Sequence, residues 1–174
     1  MFPSQYTQIG CFRGVLEYRQ QKEVLMRQAI RAVVINNDKL LVMKRNKFGK
    51  EYYTLIGGGI ELDEDQETAL RRELMEETGM QVGAVRLVYE EEPGEPYGTQ
   101  FVYLCEYQGG EPVLSPDSIE AQISAAGQNT YEPMWLAIAD LPNVNFVSGS
   151  LKTELIRAMQ QGFPNEPIQL DWQA

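Results

Sequence analysis

The stretch GGGIELDEDQETALRRELMEETGM, residues 57–80, is the most informative part of this chain. Its second half predicts a helix that carries Glu73, Glu76 and Glu77 at positions i, i+3 and i+4. The three carboxylates therefore fall within about 100° of arc on one face, where like charges repel and destabilise the helix. A divalent cation bound between them would relieve that repulsion, and hard oxygen donors of this kind suit Mg²⁺, or Mn²⁺ as a substitute.

The sequence also marks the ends of this helix. Residues 63–66 (DEDQ) predict an N-cap with Gln66 at the third helical position, a capping-box pattern. Thr78 is the expected last residue, because Gly79 stands where a glycine commonly ends a helix. The side expected to pack inward consists of Ala69, Leu70 and Leu74.

Composition narrows the class of protein. The chain has 174 residues and is 43% hydrophobic, which predicts one folded domain with a substantial core. Its formal net charge of −10 makes a nucleic acid duplex an unfavourable partner. Residues of both signs are present, so a polyphosphate could still bind where metal ions and local cations offset the repulsion.

The residues that are missing narrow the chemistry further. The sequence contains no histidine, which excludes histidine-based nucleophilic catalysis and HExxH zinc sites in this chain. Its two cysteines, Cys11 and Cys105, have no CxxC spacing, and we expect two buried free thiols rather than a bridge. No apolar run approaches the roughly 20 residues of a membrane span, and no signal-peptide core opens the chain. We therefore expect a cytoplasmic protein without a membrane partner.

Periodicity predicts the remaining elements. Residues 1–28 are expected to form an arm or a strand pair packed on the body, and residues 163–174 an irregular tail. An Asn-Asn-Asp turn at 36–38 predicts a hairpin. The predicted strands are 29–35, 40–43, 51–56, 82–89, 100–107 and 133–138, and a second helix is predicted at 151–159.

Three further segments are predicted as loops. Residues 44–50 are the densest basic patch and form either a solvated loop or a phosphate-facing rim, in which Arg45 is the best candidate for gripping phosphate oxygens. Residues 90–96 are acidic and broken by proline, which indicates a solvated loop. Residues 111–130 predict a long surface loop of the kind that often carries function, with Glu120 as its central carboxylate.

The spacing within residues 57–80 resembles the Nudix box. Gly58, Glu64 and the run from Arg72 to Met80 match every specified position of G-x5-E-x7-R-E-U-x-E-E-x-G-U, where U is apolar. A chance match in a chain of this size is on the order of 10⁻⁷. The resemblance implies the α/β/α sandwich of Nudix hydrolases, with a mixed sheet, over residues 29–162.

This resemblance also implies an activity and roles for the box residues. Nudix hydrolases cleave a nucleoside diphosphate linked to another group, X, with a divalent metal. Glu73, Glu76 and Glu77 would hold the metal, and a backbone carbonyl of the glycine run, best represented by Gly58, could add a ligand. Arg72 would orient Glu73, and Glu64 would anchor Arg72. The general base is Glu77 or Glu120.

The substrate is less determined. The glycines Gly58 and Gly59 would let the main chain approach a ligand. Tyr97 and Trp135 could stack on a nucleobase or simply belong to the core. Subfamily markers for ADP-ribose and for dinucleoside polyphosphates coincide at Pro96 and Tyr97, so ADP-ribose or another nucleotide sugar, a (d)NTP and a dinucleoside polyphosphate all stay open.

Two departures from the family pattern concern the strand before the glycines. Ile56 stands where a proline is common, and Tyr53 where a tryptophan is frequent. Neither replaces a charged position of the box. The alternative to a hydrolase is a non-catalytic nucleotide sensor on the same scaffold. The sequence leaves open whether either would form a homodimer.

Overall fold

A computed structural model describes residues 28–94 and 97–173. The predicted N-terminal arm, Cys11 and Pro96 lie outside these ranges. The strands are β1 Gln28–Asn36, β2 Lys39–Lys47, β3 Lys50–Thr54, β4 Val82–Glu91, β5 Thr99–Tyr107, β6 Asn129–Ala137 and β7 Ile168–Leu170. The helices are α1 Gln66–Thr78, α2 Ile119–Ala125 and α3 Gly149–Gln161, with a 3₁₀ helix at Ile138–Asn143.

The described strands form one mixed sheet in the order β3-β2-β1-β5-β4-β7, and β6 pairs with the free edge of β2. β1 pairs with β5 in parallel, as β4 does with β7, while the remaining pairs are antiparallel. β1 and β2 pair only near their turn, at Ile35–Leu40 and Asn36–Lys39. The predicted hairpin is confirmed, and Asn37 adopts the positive φ of 54° that such a turn needs.

Each face of this sheet carries its own core. In β1, Val33 packs into one cluster with Leu151 and Leu155 of α3. Its neighbours Ala32 and Val34 pack into the other, which contains the apolar side of α1. Since successive side chains of a strand point to opposite faces, α1 and α3 cover opposite sides of the sheet. The predicted α/β/α sandwich is confirmed.

Helix α1 begins two residues later than the capping box predicts. Asp65 is the N-cap, and its carboxylate accepts a hydrogen bond from the Thr68 amide at 2.8 Å. Gln66 is therefore the first helical residue, not the third. The predicted end is confirmed, because Gly79 has φ 67° and its amide bonds to the Met75 carbonyl at 2.9 Å.

The structure corrects all three predicted loops. Residues 44–47 of the basic patch continue β2, and only Phe48 and Gly49 turn the chain towards β3. Glu90 and Glu91 extend β4, and Glu91 is fully buried.

Within 111–130, residues 119–125 form α2, whose N-cap Ser118 accepts a hydrogen bond from the Ala121 amide at 3.1 Å. A capped short helix with no buried side chain has a weak periodic signal, which explains why the sequence indicated a loop.

The predicted irregular tail, residues 163–174, contains a strand. β7 adds to β4 in parallel, pairing Tyr89 with Ile168 and Glu91 with Leu170. Leu170 is buried in the same cluster as α3, and the Phe163 ring packs against Tyr89. Three residues that directly follow a proline are too short for a clear alternation, so the pairing partner decides the conformation.

Two smaller predictions concern thiols and membranes. Cys105 is a buried free thiol, as expected. In the described part of the chain, no helix is both long and apolar enough to cross a bilayer.

Replacing Leu170 by alanine tests whether the tail belongs to the core. Removing a buried leucine costs about 2–4 kcal/mol, from lost burial and the cavity left behind. We expect Leu170→Ala to lower the free energy of unfolding in urea by this amount. Ile168→Ala, at a more exposed position of the same strand, should change it by less than about 1 kcal/mol. Equal, small effects would place the tail outside the cooperative core.

Candidate active site

The three acidic residues of α1 differ in how deeply they lie. The Glu76 side chain is 52% exposed, whereas that of Glu73 is 14% exposed. Glu77, the next residue after Glu76, is the most buried of the three, with 7% of the whole residue exposed. The predicted acidic face therefore runs from solvent down to the sheet, because the apolar side of α1 is adjacent to it.

Arg72 holds this face to the loop that precedes the helix. Its Nε and Nη2 donate to the two oxygens of Glu64, each at 2.9 Å. Its Nη1 donates to Glu73 at 2.9 Å and to Glu76 at 3.2 Å, and Nη2 also reaches the Gly59 carbonyl at 3.0 Å. The guanidinium thus lowers the pKa of Glu64, and the hydrogen bonds that Arg72 donates to Glu64 are the largest cause that raises the pKa of Arg72. The contacts proposed for Arg72 with Glu64 and Glu73 are both present.

Gly57 packs against the start of β1 too closely for any side chain. Gly57 has φ 137°, and a Cβ added there would lie 2.1 Å from the Ile30 carbonyl oxygen. The Ile30 amide in turn donates to the Gly58 carbonyl at 2.9 Å. A Cβ on Gly58 would lie 2.3 Å from the Glu73 carboxylate, so that carboxylate fills the space above the glycine. The loop, the strand and the acidic helix meet at these two glycines.

Glu77 reaches the same turn from below. Its Oε2 accepts a hydrogen bond from the Gly57 amide at 2.9 Å. Burial raises the pKa of Glu77 to about 8, and the nearby charge of Glu73 adds to the rise, while the Gly57 hydrogen bond and the charge of Arg31 oppose it. Without a bound cation, this carboxyl is predominantly protonated at neutral pH.

Glu73 and Glu120 belong to the same electrostatic group. Burial raises the pKa of Glu73, against the opposing hydrogen bond from Arg72, and the charges of Glu76 and Glu120 raise it further. Glu120 lies in the first turn of α2, and its charge contributes to the raised pKa of both Glu73 and Glu77. The helix that the sequence did not predict therefore carries Glu120 towards the acidic face.

The carboxylates of Glu73, Glu76 and Glu77 are chemically suited to binding a divalent cation. Carboxylates that raise one another's pKa in a half-buried setting are relieved by a bound Mg²⁺, and carboxylate oxygens are its preferred protein ligands. Within residues 28–94 and 97–173, no three acidic side chains already converge on one point. Instead, Nη1 of Arg72 bonds both Glu73 and Glu76.

Arg45 lies apart from the acidic residues, on β2. Its guanidinium stacks on the Tyr131 ring, 3.5 Å from the centroid, with Tyr52 on the other neighbouring strand at 5.5 Å. Its Nη2 donates to the Asn129 side chain at 3.0 Å. Arg45 and its two tyrosines face one another across three adjacent strands, which agrees with their register.

The two aromatic candidates have different surroundings. Trp135 is partly buried, packs edge-on to Tyr107 and donates to Glu111 at 3.0 Å. This is the environment of a core residue that anchors the loop after β5, in which Glu111 lies. Tyr97 is 59% exposed. In the described part of the chain, neither ring bonds to the glutamates of α1.

Two features of this region escaped the sequence interpretation. The sequence assigns the glycine run 57–59 to ligand or metal approach, but it does not predict the hydrogen bond that the Gly57 amide donates to Glu77. Arg31 interrupts the apolar strand AIRAVVI, and its charge acts on both Glu77 and Glu73. A lone arginine in a buried strand is a signal that could have identified it.

This fold joins a glycine turn to an arginine-linked acidic helix on one face of a mixed sheet. A family model described as the NUDIX domain matches residues 25–151, and the chain therefore belongs to the Nudix family. The family identification made from the box is confirmed.

The individual proteins that resemble this chain share less than a third of its sequence over the aligned residues. The NAD-capped RNA hydrolase NudC of Vibrio atlanticus (strain LGP32) is 29% identical over 123 residues, 71% of this chain and 41% of that protein. The chain thus spans less than half the length of that curated relative. A crystal structure of an ADP-ribose pyrophosphatase from Streptococcus suis 89-1591 has a TM-score of 0.58 at 19% identity, covering 82% of this chain and 98% of the other. A UDP-X diphosphatase has a TM-score of 0.60 at 18% identity, covering 90% and 74%. These two structures show the shared fold.

The raised pKa of Glu77 predicts a pH dependence of stability in the metal-free protein. Between about pH 5 and pH 8 the folded state keeps a proton that the unfolded chain, with a carboxyl pKa near 4.5, has released. The free energy of unfolding should therefore fall as pH rises through this window, by up to about 1.4 kcal/mol per pH unit from this group.

Urea titrations in EDTA at pH 5 to 9 measure this effect. Glu77→Gln should flatten the dependence, whereas Glu67→Gln, an exposed position on the same helix, should keep the wild-type slope. Equal slopes for wild type and Glu77→Gln would contradict the assignment.

Proposed function

We propose that this protein hydrolyses the diphosphate bond of a nucleoside diphosphate linked to another group, X, with a divalent metal ion. The observation that carries the proposal is the joint packing of Glu73 and Glu77 against the glycine turn, with Arg72 connecting Glu73 to Glu64. Family membership supports the reaction class.

The proposed roles follow from these contacts. A divalent cation held by Glu73, Glu76 and Glu77, with the Gly58 carbonyl as a candidate further ligand, would offset the substrate's charge and lower the pKa of an attacking water. Arg72 keeps Glu73 oriented because it donates a hydrogen bond to Glu73 on one side and a bidentate pair of hydrogen bonds to Glu64 on the other. Because the loop is bonded to both Arg72 and Glu77, the carboxylates keep a defined position relative to the backbone that faces the substrate.

The proton acceptor is one of two carboxylates. Glu77 is buried and already bonded to the Gly57 amide, which leaves its second oxygen for a water or a metal ion. Glu120 approaches from α2, a short helix with no buried side chain that can adjust its position more easily. We propose Glu77 first and Glu120 second.

The substrate class is supported by what the related proteins are named for. NAD, ADP-ribose and UDP-X each contain a nucleoside diphosphate with a substituent. We therefore propose a small-molecule nucleotide of this kind. Arg45, on the partly exposed part of β2, and Tyr97 are candidate contacts for the remainder of the substrate; the surroundings of Trp135 support a structural role instead.

A substrate panel tests the proposal directly. The protein is incubated with ADP-ribose, UDP-sugars, NADH, dinucleoside polyphosphates and (d)NTPs, with Mg²⁺, Mn²⁺ or EDTA, and products are resolved by ion-exchange chromatography. Metal-dependent release of a nucleoside monophosphate from at least one compound is expected. If none is cleaved although one binds tightly, the protein is a nucleotide sensor and the proposal is wrong.

Glu77→Gln should lower turnover of the identified substrate by at least about a hundredfold, the usual scale for losing acid–base assistance or a metal ligand. Glu67→Gln is the matched control, because it lies on the same helix, pairs with Arg71 and should stay within about threefold of wild type.

Glu120→Gln separates the two candidate bases. A loss of turnover similar to that of Glu77→Gln, with an unchanged Mg²⁺ activation curve, would assign the base to Glu120. Near-normal turnover in a folded Glu77→Gln variant would remove Glu77 from the mechanism.

A further inference from the structure

Arg31 is the charged residue of this region whose role the box does not explain. It lies in β1, a strand whose other central residues are apolar and buried. Its Nη1 donates to the Ile30 carbonyl at 3.0 Å. A guanidinium carries five N–H donors, and within the described ranges this is the one hydrogen bond that Arg31 makes.

The Ile30 carbonyl places this guanidinium beside the glycine turn. The oxygen that Arg31 bonds is the same atom that a Cβ on Gly57 would meet at 2.1 Å, and the Arg31 Cα would lie 3.1 Å from that Cβ. The Gly57 amide holds Glu77. Arg31, the glycine turn and the deepest carboxylate are therefore connected through one carbonyl and one amide.

Carboxylates surround Arg31 without pairing with it. Burial lowers the pKa of Arg31, and the charges of Glu77, Glu73 and Glu91, in that order, act against this effect. In the part of the chain that the structure describes, no carboxylate oxygen lies within 4.0 Å of its nitrogens. Glu91 is instead bonded by Ser148 at 2.7 Å and Ser150 at 3.1 Å.

The other arginines of the region are committed differently. Every nitrogen of the Arg72 guanidinium already bonds an oxygen of the loop or of the acidic helix. Arg45 lies flat on Tyr131 and bonds Asn129 through Nη2, while its Nε is buried without a hydrogen-bond partner among the described residues, and its contacts are on β3 and β6 rather than with Glu77. Arg31 is the described arginine that combines proximity to Glu77 with uncommitted donors.

We propose that Arg31 binds a phosphate group of the substrate from the floor of the glycine turn. A planar guanidinium matches two phosphate oxygens at once, and a partly buried cation beside an acidic site favours an anion that arrives with its own metal ions. This inference rests on the proposed diphosphate chemistry and names a further binding residue for it.

Three variants test the inference: Arg31→Gln, Arg31→Lys and the control Arg157→Gln, which removes one positive charge from an ion pair on α3. Steady-state kinetics use the substrate that wild type cleaves best. Arg31→Gln should raise KM by about tenfold or more, because a hydrogen-bonded charge is lost, with kcat within about threefold. Arg31→Lys keeps the charge without the fork and should recover part of the loss.

A binding measurement separates this inference from the proposed function. Calorimetry with Mg²⁺ and imidodiphosphate, a non-hydrolysable diphosphate, should show weaker binding to Arg31→Gln than to wild type and Arg157→Gln. If wild type cleaves nothing in the panel, the proposed function fails while this comparison still reports on Arg31. If wild type cleaves a substrate and Arg31→Gln matches it in KM and in imidodiphosphate affinity, the inference alone is wrong.

The rival role is an internal counter-charge for Glu91. In that case Arg31→Gln combined with Glu91→Gln should restore wild-type KM and melting temperature, and such a rescue would overturn the proposal. As a phosphate ligand, Arg31 cannot be replaced in this way, and the double variant should keep the raised KM. If Arg31→Gln does not fold, Arg31→Lys alone decides, since an unchanged KM and imidodiphosphate affinity would overturn the inference.

Discussion

The guanidinium of Arg72 connects the two segments from which the acidic site is built. It holds both oxygens of Glu64 in the loop and, on the other side, one oxygen each of Glu73 and Glu76 on α1. A planar group with donors along two edges can do this, whereas a single ammonium cannot match a carboxylate on one edge and a helix face on the other. The position of the glycine turn relative to the helix depends on this one side chain and on the bond between Gly57 and Glu77.

The site is electrostatically strained in the absence of a cation. Burial and mutual repulsion raise the pKa of Glu73 and of Glu77, so the folded protein tolerates its carboxylates by keeping a proton on the deepest one. The same groups that lower stability when ionised are therefore those that the proposed reaction would use, a common relation between stability and function.

Errors of the sequence interpretation share a cause. Glu91 appeared within an acidic, proline-broken run, yet Ser148 and Ser150 from α3 make its burial tolerable. Residues 168–170 form a strand because the edge of β4 is available to them. Residues 44–47 extend β2 because β3 and β6 pair with it on both sides. In each case at least one partner distant along the chain supplies hydrogen bonds, and local propensity contains no information about that partner.

The sequence by itself determined the family, the sandwich fold, the end of α1 at Gly79 and the pairing of Glu64 with Arg72. The Glu64–Arg72 pair and the end of α1 depend on spacing within the stretch 58–80, and the sandwich fold follows from the family resemblance that this stretch carries. Tertiary structure decided which carboxylate is buried, where Glu120 lies, and that Arg31 shares a carbonyl with the glycine turn. These depend on contacts between segments, and the free energy of a buried charge is set by the groups that fold around it.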